Sequence, residues 1–285
     1  MFRIAILGCE NSHAAGFLKA IQNEKLEDIQ VVGVYSCFEG EAEKLRDAYG
    51  VPVMKNYDEL VGKIDGLVIT ARHGDNHYKY AKPYISSKIP MFIDKPITIS
   101  EDEAREFAQE LKDKQIPVSG GSSVKHADYV KELKEMVASG EKGSVVGGFL
   151  RMPSDIHSEH GGFFFYAQHL VQTVCEIFGY YPNAVRACRC GDQTTCVFRY
   201  DNFDITGLYV DKSYSYHATI VFGKSVESQP IVLGDVTAKE FHDFYALLLG
   251  KPQGQSYEDM FAPVFIMNAI ERAVHSGAEE PVHRI

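Results

Sequence analysis

Phe2-Arg3-Ile4-Ala5-Ile6-Leu7-Gly8-Cys9-Glu10-Asn11-Ser12-His13 is the stretch on which the fold turns. A short apolar run stops at Gly8, and polar residues follow. From Ser12 the period changes: Ala14, Phe17, Leu18 and Ile21 recur at i, i+3, i+4 and i+7. That pattern is a buried strand, a tight turn, and a helix with Ser12 as its N-cap. The same alternation continues outward. Residues 29–35, 66–70, 90–93 and 116–118 read as strands. Ala42, Leu45 and Tyr49 mark one helix between them. Ala104, Phe107, Ala108 and Leu111 mark another, opened by the capping box Ser100 with Glu103.

Regular β-α alternation needs crossover helices and a mostly parallel sheet. Short, wholly apolar strands agree, because such a sheet is covered on both faces. The spacing therefore predicts an α/β, Rossmann-type parallel-sheet domain over residues 1–120. The texture then changes. After a linking helix through Val130, Leu133, Met136 and Val137, residues 144–151, 184–189, 194–200, 204–210 and 216–222 look like longer strands with polar alternation. A turn at residues 200–203 joins two of them as a hairpin. Helices are predicted at 169–178, 238–249 and 257–276. This is an α+β domain over 121–285, built on an open, mostly antiparallel sheet.

Composition sets the class. Of 285 residues, 45% are apolar and 24% charged, a globular mix that excludes disordered and collagen-like chains. The net charge is −10, and nothing supplies the basic stripe that nucleic acid requires. One Arg or Lys can override a global field, so an anionic small molecule stays open as substrate. No apolar run reaches ~18 residues, so no membrane span is expected. The apolar stretch at the start is too short for a secretory signal. Six cysteines in a chain of this length do not make a disulfide scaffold, and a reducing cytoplasm is the expected compartment.

A dinucleotide turn presents backbone amides at a helix N-terminus, with the pattern G-x-G-x-x-G after the first strand. Here Gly8 is in place, but Glu10 and His13 stand where the second and third glycines belong. Placement fits and residue type does not, so on this motif alone an ordinary βα turn capped by Ser12 is slightly the better reading. At the tip of the second strand, Tyr35-Ser36-Cys37 offers no acid for a ribose 2′-OH and no Arg for a 2′-phosphate. NAD and NADP are both open.

Further motifs fall in a telling order. Asp65-Gly66-Leu67-Val68-Ile69-Thr70 precedes His77. Ile93-Asp94-Lys95-Pro96 ends a strand. Gly143-Ser144-Val145-Val146-Gly147-Gly148 follows, then Gly161-Gly162 ahead of His169. Met267-Asn268-Ala269-Ile270 leads to Ser276-Gly277. In order and spacing this resembles the Gfo/Idh/MocA family across essentially the whole chain. Asp94-Lys95-Pro96 looks like that family's Glu-Lys-Pro motif with a shorter acid. The resemblance implies an NAD(P)-dependent oxidoreductase that moves a hydride between nicotinamide and a hydroxyl carbon of a small sugar, polyol or related molecule. It implies Lys95 as the cation near the reacting hydroxyl and His169 as the base, with Tyr166 as a nearby hydroxyl. Gly8, Cys9, Asn11, Ser12, His13, Ser36, Thr70, His77, Asp94 and Lys95 fall at cofactor positions, NAD or NADP. It also implies a homodimer or homotetramer assembled through the second sheet, where Tyr214, Tyr216, Phe198 and Tyr200 look like strand aromatics.

The chain departs from the family at Phe165 and Gln172, where carboxylates are usual, and at Ala71-Arg72 after Thr70. With Glu10 and His13, these departures support a second reading, a ligand-binding member of the same fold without the chemistry. Arg72 and Arg151 are candidates for a substrate carboxylate or phosphate. Asp155, His157, Glu159 and His160 form a polar cluster. Metal chemistry through His157, His160 and His169 is a third reading, but the spacing is loose and a polar substrate loop is preferred, with no metal. Cys188, Cys190 and Cys196 read as buried thiols, the first two on one strand face.

Overall fold

β1 (Phe2–Leu7) is the second strand of a five-stranded, all-parallel sheet in the computed structural model, which describes residues 1–285. The other strands are β2 (Ile29–Tyr35), β3 (Gly66–Ile69), β4 (Met91–Asp94) and β5 (Val118–Gly121), in the order β2-β1-β3-β4-β5. The crossovers are α1 (Ser12–Asn23), α2 (Glu41–Tyr49), α3 (Asp75–Ala81) and α4 (Glu101–Lys114). Because β2 and β3 flank β1, the chain leaves β1 in opposite directions. In open α/β sheets the ligand crevice lies at such a switch point, outside the carboxyl ends of the strands.

One detail of the sequence reading changes here. The N-cap of α1 is Asn11, not Ser12: its side chain accepts from the His13 amide at 3.3 Å. Both residues are cap-competent, and only Asn11 has the extended backbone the cap requires. At α4 the cap is as expected, with Ser100 accepting from the Glu103 amide.

The first compact unit comprises Met1–Gly121 and also Thr237–Met260. The chain leaves this unit after Gly121 and comes back at Thr237, where the sequence reading has one continuous unit over 1–120. The returning segment carries α7 (Val236–Leu248). Phe241 and Phe244 are fully buried with Ile4, Ile6, Phe17, Val68 and Phe92 in one core. Phe17 meets Phe92 edge-on at 4.9 Å and Phe241 at 5.3 Å between centroids. Each buried Phe contributes about 1.5–3 kcal/mol, enough to make α7 part of this core. Gly66 makes room for it, since a Cβ there would come within 2.6 Å of Leu248 and 2.9 Å of Phe244.

The second unit comprises Ser122–Val236 and Phe261–Ile285. Its sheet uses β6 (Val145–Ser154), β7 (Ala184–Cys190), β8 (Gln193–Arg199), β9 (Asp204–Asp211), β10 (His217–Phe222), β11 (Val226–Pro230) and β12 (Glu279–Pro281). The order is β11-β10-β6-β9-β8-β7-β12, antiparallel except for the β6–β9 pair. One face is covered by α5 (Asp128–Ser139), α6 (Phe164–Phe178) and the later part of α8 (Tyr257–Ser276), which bring Leu133, Leu170, Val174 and Ile266 to the core.

Three expectations are corrected in this unit. α6 begins at Phe164, five positions before His169. Gly161 and Gly162 hold φ of 104° and 57°, outside the helical region, and the helix starts as soon as they end. Cys188 and Cys190 share a face as expected, but that face is exposed; Val185 and Ala187 take the core side, and only Cys196 of the three is buried. Phe198, Tyr200 and Tyr216 pack on the inner core, so the aromatic face is not the free one. The outer face instead carries the partly exposed Phe149, Val197, Leu208 and Val221. No helix of the structure is long and apolar enough to cross a membrane.

Candidate functional site

Glycine at position 8 is required by the turn after β1. Its φ is 77°, and a Cβ would fall 2.3 Å from the Ala71 backbone. The amides of Gly8 and Cys9, expected at a cofactor, instead donate to the Tyr35 carbonyl at 2.8 and 3.0 Å. Thr70 donates its hydroxyl to the Gly8 carbonyl at 3.0 Å and fixes the turn from the β3 side. Burial lifts the Cys9 thiol to about 12, with the Glu10 charge adding to it, so Cys9 stays a protonated packing residue. The amino end of α1 begins at the exposed Ser12, and its first turn holds no acidic residue. Such an end attracts anions.

Glu10 is folded back rather than outward. It is only 7% exposed, accepting from the Ser36 hydroxyl at 2.8 Å and from the Arg72 amide at 3.2 Å. Arg72 itself is exposed beyond β3. His77 is fully buried, and its Nε2 meets the Ala71 carbonyl at 2.8 Å. A carbonyl only accepts, so Nε2 carries the proton. Burial holds the ring below its usual pKa and hence neutral, despite the Asp94 charge. His77 is a brace for the loop after β3.

At the end of β4 the charges gather. Asp94 is fully buried, and its Oδ2 accepts from Asn11 Nδ2 at 3.1 Å and lies 2.9 Å from His13 Nδ1. Oδ1 accepts from the Lys95 amide at 2.7 Å. Glu240, on the returning α7, is 1% exposed and lies 3.6 Å from the same imidazole nitrogen. Burial opposes the His13 charge, but the Asp94 charge and hydrogen bond, with Glu240, outweigh it and raise the ring to about 9. Burial likewise opposes the Asp94 charge, yet His13 and Lys95 hold that carboxyl below its ordinary value. Burial lowers the Lys95 ammonium, and Asp94 and Glu240 partly restore it. His13, Asp94 and Glu240 also offer ligand atoms within 4.8 Å of one another. With the His13 ring raised to about 9, a divalent ion would have to displace its proton.

The second unit holds His169 in the second turn of α6, 6% exposed. Ser122 Oγ is 2.7 Å from its Nδ1. The Ser122 amide donates to Gln172 Oε1 at 3.1 Å, and Gln168 donates to the same oxygen at 3.0 Å. Gln172, at a position where the family usually has an acid, thus aligns Ser122. If Nδ1–H donates to Ser122, the lone pair falls on Nε2, the tautomer a general base needs. Tyr166 lies 5.3 Å from the His169 ring and 5.9 Å from Tyr214. Phe165 fills the other departure, packing on Tyr166 at 5.1 Å and on His160 at 5.2 Å.

The remaining candidates disperse. His157 is largely exposed, 3.5 Å from Asp192, while His160 is buried near Glu159. Arg151 points its guanidinium at the Ser213 and Ser215 carbonyls and hydroxyls, which ties it to that loop rather than to a substrate. Sequence reasoning missed Ser122 and Glu240. Ser122 had no motif to mark it, and Glu240 reads as one more acid on an amphipathic helix.

A doubly wound parallel sheet with a glycine turn at its switch point and a buried lysine at the end of β4 defines a nucleotide-binding class of unit. Residues 2–122 match the model of the Gfo/Idh/MocA oxidoreductase family, described as an NAD-binding Rossmann fold. Glucose-6-phosphate 3-dehydrogenase of Bacillus subtilis (strain 168) is 27% identical over 149 residues, 51% of this chain. The match spans 41% of that relative's length. Among solved structures, myo-inositol dehydrogenase from Corynebacterium glutamicum ATCC 13032 is similar with a TM-score of 0.85 at 17% identity, over 99% of each chain. Scyllo-inositol dehydrogenase from Lactobacillus casei, with NAD(H) and scyllo-inositol bound, gives 0.86 at 14% identity, again over 99% of each. At these identities the structural matches establish the fold.

Proposed function

We propose that the protein is an NAD(P)-dependent oxidoreductase that moves a hydride between nicotinamide and a hydroxyl carbon of a small sugar, polyol or related molecule. The observation that carries this reading is Lys95, a buried lysine at the carboxyl end of β4 in the family-matched segment, whose charged form Asp94 and Glu240 favour. The turn fits a dinucleotide. Gly8 takes the positive φ that such a turn requires, the start of α1 is exposed and free of acids in its first turn, and Glu10 is pinned away from it. Ser12 and Asn11 would hold the pyrophosphate, and Ser36 would lie beside a ribose. When bound, nicotinamide supplies the hydride acceptor. Lys95 steadies negative charge on the substrate oxygen, and His169, oriented by Ser122, takes the hydroxyl proton.

Fluorescence titration with NADH and NADPH tests this directly. Saturable binding of either one is expected, and binding of neither at millimolar levels would sink the reading. The second reading, a ligand-binding protein without the chemistry, draws on Phe165, which puts an aromatic ring where the family usually has an acid. Turnover on a polyol panel, abolished in Lys95→Ala, would refute it. Self-association through the partly exposed Phe149, Val197, Leu208 and Val221 completes the proposal, and light scattering reads the oligomer number.

A further inference from the structure

We propose that Glu10 supplies the ribose acceptor that the tip of β2 lacks, and that it selects NAD over NADP. The inference rests on the dinucleotide reading above. Rossmann-type crevices read the adenosine ribose with an acid at the end of the second strand. Here that strand ends Tyr35-Ser36-Cys37, with no carboxylate of its own. The structure nevertheless places one there. Glu10 leaves the β1–α1 turn and reaches Ser36, the residue after β2, at 2.8 Å. Its other oxygen accepts from the Arg72 amide at 3.2 Å, beyond the end of β3. The side chain therefore lies across the end of β1, which runs between those two strands.

This placement reverses the meaning of Glu10 in the sequence. In the second glycine's place, a glutamate aimed at the helix start would repel a pyrophosphate. Held by Ser36 and Arg72, its charge sits on the β2 side of the turn instead. A carboxylate oxygen can accept two hydrogen bonds. Each Glu10 oxygen accepts one of the bonds given above, which leaves each a lone pair for a ribose hydroxyl. A 2′-phosphate offers acceptors and negative charge in place of that donor. Like charges brought together at a binding surface cost several kcal/mol as a class, and discriminate more than they bind. Arg72 is exposed, and in the bond given above Glu10 engages its backbone, not its guanidinium.

The test is fluorescence titration of the full chain with NADH and NADPH, on the wild type, Glu10→Gln and Ser36→Ala. Wild type is expected to bind NADH at least about tenfold more tightly than NADPH, as one like-charge contact implies. Glu10→Gln keeps the shape and removes the charge, so the two affinities should converge to within about threefold, chiefly by a gain for NADPH. Ser36→Ala frees the carboxylate from β2 and should narrow the gap part of the way. It serves as the deciding variant if Glu10→Gln melts early. Equal wild-type affinities overturn the inference while leaving the dinucleotide reading intact. So does a gap that survives in both variants. Binding of neither nucleotide to the wild type removes the dinucleotide reading, and this inference with it.

Discussion

The carboxyl edge of the parallel sheet and the surroundings of His169 solve the same problem by different means. In the first unit, His13, Asp94, Lys95 and Glu240 are buried charges that hold one another. In the second, hydrogen bonds join His169 to Ser122, Gln172 and Gln168, and Gln172 reaches the Glu176 carboxylate through Tyr180. A charge set is stiff and interdependent, because removing one member strands another at low dielectric. A chain of hydrogen bonds can be cut at one link with a smaller loss. The contrast predicts which substitutions damage the fold and which damage only the chemistry.

The largest effect is expected on turnover. His169→Ala should lower kcat by about 10³-fold, the usual worth of a positioned base, with melting temperature nearly unchanged. Steady-state rates alongside thermal melts check this, and an unchanged kcat would remove His169 from the reaction. Lys95→Ala should cost about 10²–10³-fold in kcat, as loss of an oxyanion partner does, and should destabilise the fold as well. A stability loss with no rate loss would make Lys95 structural.

Glu240→Gln breaks the charged set away from its centre. It should cost about 3 kcal/mol of stability, since His13 and Lys95 then share one carboxylate. It should also pull the His13 pKa down from about 9, read by imidazole NMR. A neutral outcome on both measures would dissolve the proposed interdependence.

The pH dependence of stability has a definite sign. The His13 pKa is about 9 when folded against an ordinary value of 6.5, so the folded state binds its proton more tightly. The stabilisation is whole below pH 6.5 and is lost as pH rises through about 9. Asp94, held low, adds a contribution present above its ordinary 3.8 and lost as pH falls through its folded value. His13→Gly should flatten the alkaline limb by an amount on the order of 2 kcal/mol, measured by urea unfolding between pH 6 and 10. Equal slopes in both proteins would show that His13 is not protonated in the fold.

The smallest effect lies in the hydrogen-bonded chain. Ser122→Ala should lower kcat by about tenfold, or ~1.4 kcal/mol, because the ring of His169 loses its orienting partner but stays packed. It should leave the binding of NADH unchanged. A loss as large as that of His169→Ala would mean the hydrogen-bonded chain is as interdependent as the charged set.

Much of this architecture was legible because its cause is local. Gly8 follows an apolar run and precedes a helical period, and only one fold class uses that grammar repeatedly. Ser100 and Glu103 announced their helix for the same reason. What was not legible depends on distant partners. Glu240 is an ordinary acid until His13, 227 positions earlier, is folded beside it. Phe241 and Phe244 clearly mark a helix face, but not which core receives it. Glu10 looked like an obstacle because spacing gives a residue's position in the turn and not the direction of its side chain. Ser122 had no signal at all, since one serine after two glycines is common in any loop.

The return of residues 237–260 to the first unit bears on how this protein is born. A ribosome delivers the five parallel strands first, yet Phe241, Phe244 and Glu240 emerge only after six of the second sheet's seven strands have been synthesised. Until then the growing chain exposes the Phe17 face of α1 and leaves His13 with Asp94 alone. Domains that are complete at their amino end can fold as they leave the tunnel. This one must wait, so nascent chains stopped before residue 236 are expected to recruit chaperones that the finished protein does not need.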